Sequence, residues 1–127
     1  MKPGAPSPRL HEYTLPDGWI VLAGRTDEDN EELSLKVAAP NDYWFHVRGV
    51  PGSHVVLRCD RDEEPDRATL EAAAAIAAYH SKARSAGVVP VSYTRAKFVS
   101  KPRGAKPGTV EISKEKLLKV RPRIPEP

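Results

Sequence analysis

Alternation of apolar and polar residues is clearest between Asn41 and Arg58. In Tyr43–Arg48, period two places Tyr43, Phe45 and Val47 on one side of a strand and Trp44, His46 and Arg48 on the other. In Ser53–Arg58 the same rule separates Ser53, Val55 and Leu57 from His54, Val56 and Arg58, with Gly49-Val-Pro-Gly52 as the reversal between the two strands. Upstream, Trp19–Ala23 reads as a strand entered from the turn Pro16-Asp-Gly18 and broken by Gly24-Arg-Thr-Asp27. Leu33 and Val37, flanked by Leu35 and Ala38, predict a short helix ended by Pro40.

Downstream, Asp66 as N-cap and Gly87 as stop predict a helix of about 20 residues, roughly 30 Å long. Its interior, Ala72–Ala78, allows close packing on a sheet, and Lys82 and Arg84 fall in its last turn, where cations favour the helix dipole. Val88–Thr94 and Lys97–Val99 read as strands, and Thr109–Ile112 with Lys116–Val120 as a closing hairpin. The pattern is α+β: one domain, a mostly antiparallel sheet packed against one long Ala-rich helix and a short helix. The core is expected to run from about residue 10 to 122 of the 127, between short Pro-rich disordered ends.

A chain of this length buries roughly two-thirds of its unfolded surface, enough for a core without metals or disulfides. The single Cys59 cannot pair within the chain, and Met1–Pro8 lacks the apolar run of a signal peptide, which points to the reducing cytoplasm. No apolar stretch approaches the roughly 20 residues of a membrane span. Charge is uneven. From Lys82 to Arg123 there are twelve basic residues against Glu111 and Glu115, whereas the chain up to Ser81 has eight basic and fourteen acidic residues. One surface should therefore attract phosphate, although a basic block can also be merely solvated.

Within that region, Lys101-Pro-Arg-Gly-Ala-Lys-Pro-Gly108 combines turn residues with Lys101, Arg103 and Lys106, an arrangement suited to a phosphate backbone or to a solvated loop. Trp44, His46, Arg48, His54 and Arg58 add an aromatic beside imidazole and guanidinium, as a base next to a phosphate requires. Lys82, Arg84 and Lys97 complete the cationic surround. Against this stands the reading of Trp44, His46 and His54 as partly buried structural residues.

Other chemistries fare worse. Ser53 and His54 are adjacent in a strand and point to opposite faces, so they cannot act as a hydrolytic pair. His46 and His54, with His11 or His80, could face one another, but no Cys/His spacing supports a metal. Cys59 lies beside Asp60, Asp62, Glu63 and Glu64, which disfavour its thiolate. There is no nucleotide-binding glycine loop and no paired catalytic carboxylates. Neither catalysis nor a cofactor is expected.

An ordered set of landmarks carries a resemblance. These are Gly24-Arg25 followed by Asn30, Leu33 and Lys36; Asp42–His46; Pro51–Val56; Glu71–Ala73, Ala77–Tyr79 and Ser81–Arg84; Val91–Thr94; and Lys101–Gly108. From about Trp19 to Arg121 the chain resembles the NFACT-R domain, the RNA-binding module of large ribosome-associated quality-control proteins. The resemblance implies binding to RNA, with tRNA as the first candidate and rRNA of the large ribosomal subunit as the second. Large family members carry further domains that 127 residues cannot hold, so a stand-alone module is expected, with a separate chain as the candidate source of the missing parts. Thr26–Asp29 is acidic where the family pattern is richer in amides. Two further readings are an accessory role in RNA modification and docking of the Ala-rich helix on another protein.

Overall fold

The computed structural model describes residues 9–59 and 63–126. In chain order the elements are β1 (Leu10–Thr14), β2 (Ile20–Gly24), α1 (Asp27–Glu32), β3 (Tyr43–Val47), β4 (Val55–Leu57), α2 (Arg67–Tyr79), β5 (Val89–Arg95), β6 (Val99–Ser100), β7 (Glu111–Ile112) and β8 (Lys116–Val120). Six strands form one antiparallel sheet in the order β1-β2-β4-β3-β5-β8, and β6 pairs with β7 in a separate ribbon. This is the expected α+β class in a single domain.

Both faces of the sheet carry apolar residues, because each strand alternates between two covers. Val21, Phe45, Val47, Val55, Leu57, Val91 and Leu118 point to α2, whose Ala73–Ala78 are all buried against them. Small side chains bring that helix close to the sheet, while Ala68 is exposed and Ala72 partly exposed on its outer side. On the opposite face Leu22, Trp44 and Val56 are covered by Leu33 and Val99. Thr26 caps α1 by accepting the Asp29 N–H at 3.0 Å, and three acids in its first turn suit the helix dipole. The helix then widens over Leu33–Val37, where the Ala38 N–H reaches the Leu33 carbonyl at 2.9 Å. It thus begins within the stretch read from sequence as a strand break.

Asp66 caps α2 as expected, accepting from the Thr69 N–H and Oγ1–H at 2.8 Å each. The helix ends at Tyr79, however, well before Gly87. His80 leaves helical geometry because its carbonyl is taken by the Ser53 N–H at 2.9 Å and Ser81 bridges to Gly52. A Cβ on Gly52 would lie 2.7 Å from the Ser81 Cβ, so this crossing needs glycine. Lys82 and Arg84 consequently sit in the turns beyond the helix, not in its last turn.

Three other expectations change. Leu10–Thr14 forms the edge strand β1, where no strand was read. Residues 111–112 do not pair with 116–120; they pair with Val99–Ser100, while β8 takes the free edge of β5. Lys97 belongs to a helical turn over Ala96–Phe98 that precedes β6. At the C-terminal end, read as disordered, Arg123 donates its N–H to the Ala75 carbonyl at 3.1 Å and Ile124 packs on the core. The Pro-rich N-terminal residues 1–8 lie outside the described residues. Among the described residues no helix is long and apolar enough to cross a membrane.

Candidate nucleic-acid interface

The face of the sheet away from α2 holds Trp44, His46, His54 and Arg48, and it is divided along β3 into a covered and an open half. Trp44 lies in the covered half, 3 % exposed, and its indole N–H donates to Ser34 Oγ at 2.9 Å. Ser34 Oγ in turn lies 2.7 Å from His54 Nδ1. Indole, serine hydroxyl and imidazole thus form one buried chain of hydrogen bonds. The His54 backbone N–H donates to Asn30 Oδ1 at 3.1 Å. Asn30 fills the space where a Gly24 Cβ would have to sit, 2.0 Å from Oδ1.

Burial, reinforced by the neighbouring His46, pushes His54 down to about 4, so it is neutral near pH 7. Trp44 and His54 are therefore parts of the core and offer no ring face to a base. The sequence reading assigned both to RNA contact because alternation identifies which side chains share a face without showing what covers it. The serine partner of His54 is Ser34, whereas Ser53 Oγ donates to the Gly24 carbonyl at 2.7 Å.

His46 begins the open half. Its ring centroid is 5.5 Å from that of His54 and 6.0 Å from that of Trp44, and it remains partly exposed. Burial lowers its pKa, while hydrogen bonding to the Gly52 and Val47 backbones acts in the opposite direction. Register extends the surface sideways. His46 pairs with Ser92, which pairs with Leu117, a leucine 43 % exposed. One step further along β3, the Arg48 N–H binds the Pro90 carbonyl, and Pro90 pairs with Lys119. The Arg48 guanidinium reaches Glu115 at 3.4 Å. An imidazole, an exposed apolar side chain and two cations thus share one open surface. Sequence reading missed Leu117 and Lys119, since only strand register places β8 beside β5.

The remaining predicted residues are spread over the molecule. Arg58 is structural: its Nε lies 3.3 Å from Asp42 Oδ2 and its Nη1 donates to the Val37 carbonyl at 3.3 Å. Asp42 is fully buried and also accepts the N–H groups of Ala39 and Cys59 at 2.8 and 2.6 Å, so Arg58 neutralises an internal charge. The loop 101–108 is docked on α1, where Glu31 takes Lys101 Nζ at 3.1 Å and the Gly108 N–H at 3.1 Å. These contacts hold the Glu31 carboxyl below its ordinary range, and the acidic α1 thereby claims one of the loop cations.

Arg103 and Lys106 are exposed and have no side-chain partner among the described residues. Lys97 and Lys114 flank Phe98 at 5.5 and 5.8 Å from its centroid, near the opposite end of β3 from Arg48. Arg84 stacks over Tyr79, 4.0 Å from the ring centroid, and Lys82 is exposed. Cys59 is pushed up to about 11, chiefly by burial and then by Asp42, and stays a thiol; Asp60 and Asp62 lie outside the described residues. Among the described residues no group of three or more His, Cys, Asp or Glu is placed to hold a metal.

Residues 9–114 match the family described as the NFACT protein RNA binding domain. The chain belongs to this family. It is 44 % identical over 116 residues to the Rqc2 homolog RqcH of Bacillus subtilis, covering 91 % of this chain and 20 % of that protein. It is 40 % identical over 115 residues to the Rqc2 homolog RqcH of Streptococcus pneumoniae, with 90 % and 20 % covered. It also superimposes on the C-terminal part of the fibronectin/fibrinogen-binding protein from Streptococcus suis with a TM-score of 0.84 and 37 % identity, covering 97 % of this chain and 49 % of that one. The chain thus spans about one fifth of the curated relatives.

Proposed function

We propose that this domain binds RNA without catalysis, with tRNA as its ligand, in the cytoplasm and in the service of ribosome-associated quality control. The observation that carries the reading is the open half of the sheet face in a member of an RNA-binding family: His46, Arg48, Leu117 and Lys119 sit together, with exposed cations elsewhere on the surface. His46 and Leu117 offer flat, weakly polar surface to a ribose or base, while Arg48 and Lys119 meet phosphates. Arg103 and Lys106 extend the phosphate track. A partner chain carrying the remainder of the relatives' architecture fits the same role.

The absence of catalysis is supported by where the reactive groups lie. Ser34 and His54 form a hydrogen-bonded pair, but they are 3 % and 5 % exposed and the serine oxygen is already engaged by Trp44. A substrate cannot reach either atom. Cys59 has no thiolate to offer.

The test is deacylated tRNA binding by the whole chain across a salt series. Binding should weaken steeply with salt, and Arg103→Ala/Lys106→Ala should reduce the log-log slope by about two, near one for each phosphate contact removed. No binding at low salt would refute the reading, and an unchanged slope would remove the loop from the site.

A further inference from the structure

A second aromatic surface lies on the other side of the sheet, where β1 meets the end of α2. His11 and Tyr13 of β1 are stacked with 6.4 Å between centroids at 24°, and His11 stacks on His80 at 4.4 Å and 18°. The Tyr13 hydroxyl lies 2.6 Å from His80 Nε2, and Tyr79 meets the His80 ring edge-on at 5.2 Å. All four rings are partly exposed. The backbone around them is held firmly: the His80 carbonyl accepts the Ser53 N–H at 2.9 Å, and the Lys82 N–H reaches the Pro51 carbonyl at 3.0 Å. The backbone that carries His80 is thus held in place before any ligand arrives.

Their surroundings are cationic. Arg84 lies over Tyr79 and donates its Nε–H to the Tyr79 carbonyl at 2.7 Å, Arg25 acts on His11, and Lys82 is exposed close by in sequence. Arg25 acts on His11, and Arg84 acts on Tyr13 and His80. Burial holds both imidazoles below the ordinary histidine range, His80 at about 4, so near neutral pH they present uncharged π faces. Uncharged rings beside cations favour a planar group that carries an anion.

We infer that the His11–His80 stack, with Tyr13, Tyr79 and the cations Arg25, Lys82 and Arg84, is a platform on which an unpaired nucleotide of the bound RNA stacks its base. This inference rests on the RNA-binding reading above and adds a second point of contact, separated from the open half of the opposite face by the loop 48–54. Stacking explains why rings occupy an edge strand at the rim, where a core role would call for burial. It also selects single strands over duplex, because only an unpaired base exposes its π face.

The probe is a short single-stranded oligoadenylate, compared with a hairpin of matched length, on the parent chain and on His11→Ala, His11→Phe and Arg25→Gln. His11→Ala is expected to weaken single-strand binding five- to 150-fold, equivalent to about 1–3 kcal/mol, with an unchanged salt slope. His11→Phe keeps a ring in place and is expected to stay within about threefold of the parent by the same stacking argument. Arg25→Gln should reduce the slope by about 0.7. Thermal melting of each variant separates lost binding from lost folding. If the parent binds and His11→Ala stays within twofold, or His11→Phe loses as much as His11→Ala, the platform is wrong while the RNA-binding reading stands. If the parent binds neither oligonucleotide nor tRNA, the RNA-binding reading itself fails.

Discussion

The two halves of the face turned away from α2 are built from the same strand by the same alternation, yet one is core and the other is surface. Trp44 and His46 are two residues apart on β3 and their rings lie 6.0 Å from each other. Trp44 is sealed beneath Leu33 and Ser34, while His46 looks out past the end of that cover toward Leu117 and Arg48. The cover is built by the Leu33–Val37 segment together with Val99 of β6, which pack over Leu22, Trp44 and Val56. Side-chain chemistry therefore says less about role than cover does. An indole suited to stacking on a base serves here to satisfy a buried hydroxyl.

The strongest way to break this contrast is Trp44→Ala. Emptying a buried indole site should reduce folding stability by about 3–5 kcal/mol, read from urea unfolding. The fraction that remains folded should bind tRNA as the parent does. Weakened RNA binding at near-parental stability would mean that the covered half opens in solution and that Trp44 belongs to the interface.

Acid titration probes the same boundary with a smaller effect. His54 titrates near 6.5 when unfolded and near 4 when folded, so the unfolded state binds the extra proton between those values. Stability should therefore be level above about pH 6.5 and fall as pH drops toward about 4, with a slope of up to about 1.4 kcal/mol per pH unit from this one group. His80, only half-buried, adds a smaller contribution of the same sign. Unfolding free energies from pH 4 to 8 for the parent and His54→Gln check this, and equal slopes in the two proteins would place His54 in water.

The smallest effect on folding and the clearest on binding belongs to the open half. Arg48→Ala/Lys119→Ala should change stability by about 0.5 kcal/mol or less, because the Arg48–Glu115 pair is solvated. It should nevertheless weaken tRNA binding and lower the salt slope by up to about two. Unchanged affinity would move the contact surface to Arg103, Lys106 and the cations around Phe98.

Much of the architecture was legible in local pattern. Period two located β3 and β4, apolar and β-prone runs bounded by turn residues located β2 and β5, Asp66 announced the start of α2, and the Ala-rich run 72–78 identified the part of the helix that packs on the sheet. These features depend on neighbours within a few residues, so the sequence determined them, along with the family landmarks and the excess of positive charge beyond Lys82. Decisions made by distant residues were not legible. The end of α2 is set by Ser53 and Gly52 capturing residues 80 and 81, about 30 positions away. Pairing of β8 with β5 left β7 to β6, because an antiparallel edge accepts any strand whose alternation matches.

The candidate site divides in the same way. Sequence alone determined that an indole, imidazoles and guanidinium groups would share one face, since alternation is a property of the backbone. Tertiary structure decided that Trp44 and His54 would be covered, that Arg58 would neutralise Asp42, and that Lys101 would be held by Glu31. Each of these is a question of whether water or protein lies against a group, and only packing between elements far apart in the chain can answer it.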